Sequence, residues 1–308
     1  MSEAIVGYTG FVGSNLCLSH HFDGMFNSKN IQDAYGSKPD LLVYSGVRAE
    51  KYLANQNPQR DLEHIEDAFN NICRIAPRQL VLISTIDIFA NPIDVDEKSS
   101  FVPESRQAYG ANRYQLEIKV RDSFPDALIV RLPALFGKNI KKNFIYDYIH
   151  RIPYLLRKEK MYELSLKEPS IKDYYEELDN GFYRIKTIST DESASLKLLF
   201  KSVEFDALHF TDSRCVFQFY PLNRLWNDIT KALSCNIHLL HTATEPISAA
   251  DIFYTLEHHI FKNEISETPA FYDYRTIYGT LYGGCNGYIC DKKTIMSEIV
   301  RFVTSLSL

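Results

Sequence analysis

The chain has 308 residues, 45% of them hydrophobic and 24% charged, which suffices for a large buried core in one α/β unit or in two domains. Its formal net charge of -5 comes without any basic block, which argues against a nucleic-acid partner. Apolar runs such as Leu41–Tyr44 and Leu128–Val130 are of strand length, far short of a membrane span, so no membrane role is expected.

The first element is a short apolar strand, Ala4-Ile5-Val6. It enters Gly7-x-x-Gly10-x-x-Gly13 directly, and a helix-like run from Phe11 to His20 follows. No signal peptide is expected ahead of this strand, and a cytoplasmic location fits. Met25-Phe26-Asn27 makes a poor second strand, whereas Asp40–Tyr44 is a good buried one. Pro58 to Ile75 reads as a helix, with Leu62, Ile65, Phe69 and Ile72 at helical spacing. Gln79–Ile83 is the next strand and ends at Ser84-Thr85. A polar loop (Asn91 to Arg106) leads to a helix from about Ala108 to Ser123, then to the strand Ala127–Arg131. Strands alternating with helices predict an α/β fold, a doubly wound parallel sheet covered on both faces.

The second half is less regular. Residues 139–202 are rich in Tyr, Lys and Glu, with helical stretches at Phe144–Tyr148 and Ser193–Phe200. Phe217–Tyr220 reads as a strand, Leu222–Leu233 as a helix and His238–Leu240 as a strand. A helix from Ile247 to His258 carries Ser248 near its start. Phe271 to Tyr288 packs Tyr and Gly together and reads as irregular. The six cysteines (Cys17, Cys73, Cys215, Cys235, Cys285, Cys290) form no Cys-x-x-Cys pair and are expected to be reduced thiols that mostly pack.

The opening turn carries the clearest chemistry. A nucleotide pyrophosphate needs glycines that let the backbone turn sharply and approach the phosphates. It also needs a following helix whose free N–H groups and positive dipole end face them. Three glycines in a βα turn also serve plain packing, but the position directly after the opening strand favours the phosphate role. The expected division is a dinucleotide-binding domain over 1–138, to which 215–234 returns, and a smaller substrate-binding domain over most of 139–308.

Four segments line up in order: Gly7-x-x-Gly10-x-x-Gly13, Leu82-Ile-Ser84-Thr85-Ile-Asp87-Ile-Phe89, Tyr109-Gly-Ala-Asn-Arg113 and Arg131-Leu-Pro133-Ala-Leu-Phe-Gly137. Together they resemble the extended short-chain dehydrogenase/reductase family, the NAD-dependent epimerase/dehydratase branch of sugar-nucleotide epimerases, dehydratases and reductases. The resemblance covers residues 1–137 well and thins in 218–225 and 238–256. It implies a Rossmann fold, an NADP or NAD cofactor, a nucleotide-sugar substrate and a homodimer. It also implies that Thr85 binds the substrate oxygen and that Tyr109 transfers the proton. The family places a Lys one helical turn after that Tyr, where it binds the nicotinamide ribose and lowers the Tyr pKa. Here the position is Arg113, which keeps the charge but not the compact, rotatable ammonium. Cofactor contacts are implied at Gly7, Thr9, Gly10, Phe11, Val12, Gly13, Asn27, Ser28, Lys29, Ser45, Gly46 and Pro133.

Further departures sharpen the expectation. His64 aligns with a family Asn, while a later Asn of that pattern survives as Asn70. Dehydratases carry an Asp-Glu pair directly after the Ser/Thr, and Ile86-Asp87 stands here, which disfavours water elimination. Asp87 is either a further acid/base or an ordinary loop carboxylate. His64 fits helix packing, Thr85 also fits a strand-end cap, and the tyrosines of 272–288 fit a sugar pocket or aromatic packing equally. Asn27-Ser28-Lys29, with no acid after Phe26, leans toward the NADP phosphate, although a solvated turn fits too. The leading function is an NAD(P)-dependent oxidoreductase or epimerase acting on a nucleotide-linked sugar. The rival is a dinucleotide-binding sensor or assembly subunit that has lost turnover through Arg113.

Overall fold

The computed structural model describes residues 2–100 and 107–306; the end of the expected polar loop, 101–106, lies outside them. In chain order the elements begin with β1 (Glu3–Val6), α1 (Phe11–Ser19), β2 (Gly24–Phe26), β3 (Leu41–Tyr44), α2 (Lys51–Gln56) and α3 (Pro58–Ile75). Next come β4 (Gln79–Thr85), α4 (Ala108–Ser123), β5 (Leu128–Leu132), β6 (Ala134–Phe136), α5 (Phe144–His150), β7 (Leu155–Arg157) and α6 (Lys158–Lys167). The remainder is β8 (Tyr175–Glu177), β9 (Phe182–Ile185), α7 (Thr190–Ser202), β10 (Val216–Phe217), β11 (Phe219–Pro221), α8 (Leu225–Ser234), β12 (Leu239–His241), β13 (Ile247–Ser248), α9 (Ala249–Glu257) and α10 (Lys292–Ser305), with short 3-10 turns between some of them.

These elements form two compact units. One comprises Met1–Asn139, Val216–Ile247 and Phe271–Glu298; the other comprises Ile140–Cys215, Ser248–Ala270 and Ile299–Leu308. The first unit is built on a six-stranded sheet in the order β12-β5-β4-β3-β1-β2, with every pair parallel. Its strands are continuous apolar runs because helices cover both faces: all four residues of β3 and all five of β5 are buried. Ala4, Val6, Leu42 and Leu82 pack against Ile65 and Ile72 of α3 and Leu116 and Val120 of α4. β2 and β3 flank β1 on opposite sides, so the strand order reverses between β1 and β3. The carboxyl ends of strands beside such a reversal are where open α/β sheets bind ligands.

Local signals fix the helix that matters most for the site. The Asn57 side chain accepts the Arg60 N–H at 3.2 Å, and Pro58 fills the first helical position of α3. In the second unit, β7, β9 and β8 form an antiparallel sheet. Leu156, Met161, Leu164, Leu196 and Phe200 make its core, and Ser189 with Glu192 makes a capping box at the start of α7.

Several expectations change. The Phe217–Tyr220 run is split into β10 and β11, and the helix expected from Leu222 begins as a 3-10 turn before α8. Cys215 and Cys290 are buried, but Cys73, Cys235 and Cys285 are exposed, so the thiols do not mostly pack. Tyr274 and Tyr288 pack with Ile86, Ile88 and Phe89, which assigns that pair to the core. Among the described residues, no helix is long and apolar enough to cross a membrane.

Candidate functional site

The glycine turn stands at the end of β1. The Gly7 N–H is donated to the Phe26 carbonyl at 2.7 Å, which sets the turn beside the end of β2. Gly7 adopts φ +92°, and a Cβ there would strike the backbone of Ser45 and Gly46 at 2.7–2.8 Å. The Ser45 hydroxyl is donated to the Val6 carbonyl at 2.9 Å, so the ends of β1 and β3 are locked together. Gly10 caps α1 with no side-chain hydrogen bond, and no acidic residue occupies the first turn. The first intrahelical bond runs from the Ser14 N–H to the Gly10 carbonyl at 2.9 Å, leaving the Phe11, Val12 and Gly13 N–H groups ahead of it. This cradle fits a pyrophosphate: bare backbone donors, a positive helix end and no competing carboxylate. Thr9 is exposed on the same turn.

Asn27, Ser28 and Lys29 continue from β2. Asn27 organises the turn by accepting the Lys29 N–H at 2.9 Å through its side chain, and Ser28 and Lys29 are exposed. Pro133 follows Leu132, the residue paired with Thr85 across β4 and β5, and so lies at the same sheet edge.

Thr85 and Tyr109 meet. Thr85 Oγ1 accepts the Asp87 N–H at 3.1 Å, and the Thr85 hydroxyl acts on the Tyr109 phenol, pulling it down. Tyr109 starts α4, and its own N–H is donated to Asn55 Oδ1 of α2 at 2.9 Å. Gly110 permits this approach, because a Cβ there would stand 2.1 Å from the Asp87 carbonyl oxygen.

Arg113 lies one turn further on, with its guanidinium carbon 3.9 Å from the Tyr109 ring centroid. It is buried and ion-paired with Asp61 of α3. It also donates to the Tyr109 carbonyl at 3.2 Å and to the Arg48 carbonyl at 2.5 Å. The expected cation is present, but it holds protein groups. Burial pushes the Tyr109 phenol above its ordinary value. Arg113 and the Thr85 hydroxyl pull it down, while the Asp87 and Asp61 carboxylates push it up. The expected lowering by the residue at 113 is therefore outweighed, and Tyr109 stands protonated at neutral pH.

Sequence reasoning missed Asp61, Asn55 and Lys51. Asn70, the aligned family position, is exposed on α3, and His64 is half-buried there. Asp87 is held between Lys51 Nζ at 3.1 Å and the Tyr272 hydroxyl, which donates to it at 2.9 Å. Behind Thr85 runs a buried polar chain. The Ser84 hydroxyl donates to Glu117 at 2.6 Å. Arg131 binds Glu117 through Nε at 3.0 Å and Nη2 at 2.5 Å, and its Nη1 is donated to His241 Nε2 at 3.1 Å. Nδ1 of His241 donates to the Arg275 carbonyl at 3.0 Å, which defines a neutral ring. Burial and the Arg131 charge pull His241 down to about 3.

The sequence matches no protein-family model, and no curated protein matches it. Solved structures do. A dTDP-4-dehydrorhamnose reductase from Clostridium acetobutylicum superimposes with a TM-score of 0.64 at 13% identity, over 100% of both chains. The dTDP-4-dehydrorhamnose reductase of Bacillus anthracis, in complex with NADP, gives 0.63 at 16% identity over 99% of each chain. A UDP-N-acetylglucosamine 4-epimerase from Methanobrevibacter ruminantium, in complex with UDP-N-acetylmuramic acid, gives 0.62 at 12% identity over 99% of this chain and 98% of that one. The parallel sheet, the glycine turn at its reversal point and the full-length superpositions lead to one conclusion: the chain has the fold of the extended short-chain dehydrogenases/reductases, the NAD-dependent epimerase-like proteins.

Proposed function

We propose that the chain binds a nicotinamide dinucleotide at the β1–α1 turn and reduces a keto group on a nucleotide-linked sugar. The observation that carries this reading is the approach of Tyr109 to Thr85, set by the close packing of Gly110 on Asp87, at the carboxyl edge of the sheet that bears the glycine turn. The NADP of the Bacillus anthracis neighbour and the nucleotide sugar of the Methanobrevibacter ruminantium neighbour support the ligand classes. Lys29 and Ser28, exposed at the end of β2, favour NADP over NAD.

The bound dinucleotide would supply a hydride to the keto carbon. Thr85 would hold the keto oxygen by its hydroxyl, and Tyr109 would give its phenolic proton to that oxygen. The phenolate left behind would keep the Arg113 charge over its ring, then regain a proton from solvent. Tyr109 rests protonated at neutral pH, the state from which a proton is given, so reduction is favoured over the base-first step of an epimerase. The same raised value, with Arg113 paired to Asp61, also favours a second reading, a dinucleotide-binding subunit without turnover.

A panel of 4-keto nucleotide sugars, with NADPH or NADH oxidation followed optically, tests the two. Turnover that Tyr109→Phe abolishes, with dinucleotide affinity kept, supports the reductase. Dinucleotide binding without oxidation on any sugar supports the subunit.

A further inference from the structure

The position one turn after Tyr109 holds a cation that is closed to ligands. The Arg113 side chain is 5% exposed and gives its protons to Asp61 and to the Tyr109 and Arg48 carbonyls. A second cation stands near the same pair. Lys51 opens α2, and Asn55 follows it by one turn on the same helix face. Asn55 accepts the Tyr109 N–H, so this face of α2 lies against the start of α4. Lys51 Nζ is 3.1 Å from Asp87 Oδ2, and the Asp87 N–H is donated to Thr85 Oγ1. Asp87 therefore links the two, holding Lys51 by its carboxylate and Thr85 by its backbone N–H, and the Lys51 side chain is 39% exposed.

The sheet order says which part of a dinucleotide it meets. The strands run β4-β3-β1-β2 across this half of the sheet. A dinucleotide with its pyrophosphate on the glycine turn and its adenosine side at Asn27–Lys29, after β2, extends its other half toward the end of β4. Thr85, Asp87 and the paired Lys51 stand there.

We propose that Lys51 is the cation that binds the ribose of the nicotinamide half, in place of the residue at 113, with Asp87 aiming its ammonium. Three rotatable donors on a flexible stem reach sugar hydroxyls; a buried guanidinium stacked on a ring does not. The assignment rests on the dinucleotide reading above, and the experiment separates the two.

Calorimetric titration of the full chain, wild type and Lys51 variants, with NADPH, NADH and the matching adenosine fragment (adenosine 2′,5′-bisphosphate or ADP) decides it. Lys51→Met is expected to weaken the dinucleotide by about tenfold or more and to leave the fragment within about twofold of wild type. Lys51→Arg, which keeps the charge, is expected to recover most of the loss. Undiminished dinucleotide affinity in Lys51→Met overturns the assignment and leaves the dinucleotide site standing. An equal loss of the adenosine fragment also overturns it, because the change then acts on the fold. A wild-type chain that binds none of the probes removes both the dinucleotide reading and the assignment.

Discussion

A Cβ added to Gly13 would stand 2.2 Å from the Gly7 carbonyl oxygen, whereas one added to Gly10 would meet that oxygen at 3.2 Å and nothing else nearby. The two glycines therefore serve different ends. Gly13 lets α1 close on the turn that precedes it. A side chain at Gly10 would press on that one carbonyl only and would stand on the proposed path of the phosphates. Gly13→Ala is expected to cost about 1–3 kcal/mol of stability by overpacking. Gly10→Ser, which keeps a good capping residue, is expected to leave stability within about 0.5 kcal/mol and to weaken dinucleotide binding by about tenfold, or 1.4 kcal/mol. Thermal denaturation and calorimetry of the two variants check both halves. Normal dinucleotide affinity in Gly10→Ser would place the phosphates elsewhere.

Arg113 and Asp61 are a buried pair, so removing one partner strands the other. Arg113→Met is expected to destabilise the fold by about 3–5 kcal/mol, and Arg113→Met with Asp61→Leu to recover most of that loss. Arg113→Lys is expected to lower stability and any turnover together, since an ammonium cannot hold Asp61, the Arg48 carbonyl and the Tyr109 ring at once. A rise in kcat/KM for Arg113→Lys would show that the guanidinium is a remnant rather than a built part of the site.

His241 gives the fold an acid liability. Its folded value of about 3 lies below the ordinary 6.5, so as pH falls through 6.5 the unfolded chain takes the proton first. Stability is then lost by about 1.4 kcal/mol per pH unit until the folded value is reached. Denaturant titrations at about pH 6 and about pH 4 should show this slope in the difference between wild type and His241→Gln. Parallel pH profiles for the two proteins would mean that His241 is not held neutral.

On the proposed reading, the exposed Lys29 after β2 meets the 2′-phosphate that distinguishes NADP from NAD. Lys29→Glu is expected to weaken NADPH by about tenfold and to spare NADH, because the added carboxylate repels a 2′-phosphate and can accept from a ribose diol. Equal effects on both, measured by calorimetry, would leave Lys29 as a solvated turn residue.

The elements around the site were legible where local signals agreed. Asn57-Pro58 marks the start of α3, and Ile65 and Ile72 at helical spacing mark its buried face. α2 carried no such signal, since only Ala54 of its six residues is buried, and it brings Lys51 and Asn55 to the site. The strands β7, β8 and β9 are three or four residues long and carry exposed charges, too short for an alternating pattern to stand out. α10 was readable, with Ile295, Ile299 and Val303 at four-residue spacing, yet it fell outside the expected elements. Thr85, Tyr109 and Arg113 could be named through the family resemblance that the four ordered motifs carry. The engagement of Arg113 could not, because its partner Asp61 lies 52 positions away and meets it only when α3 packs on α4.

The unit that carries the sheet is assembled from three separate stretches of chain, and its outer strand β12 comes from the second of them. A ribosome releases Ile140–Cys215 before that strand exists. Until then β5 has an unpaired edge, and Arg131 lacks the ring that caps its buried charge. The nascent protein therefore passes through a stage with an open parallel edge, the kind of surface on which chains join one another. Cutting the chain after Asn139 would make that stage permanent, so residues 1–139 are expected to aggregate when expressed alone.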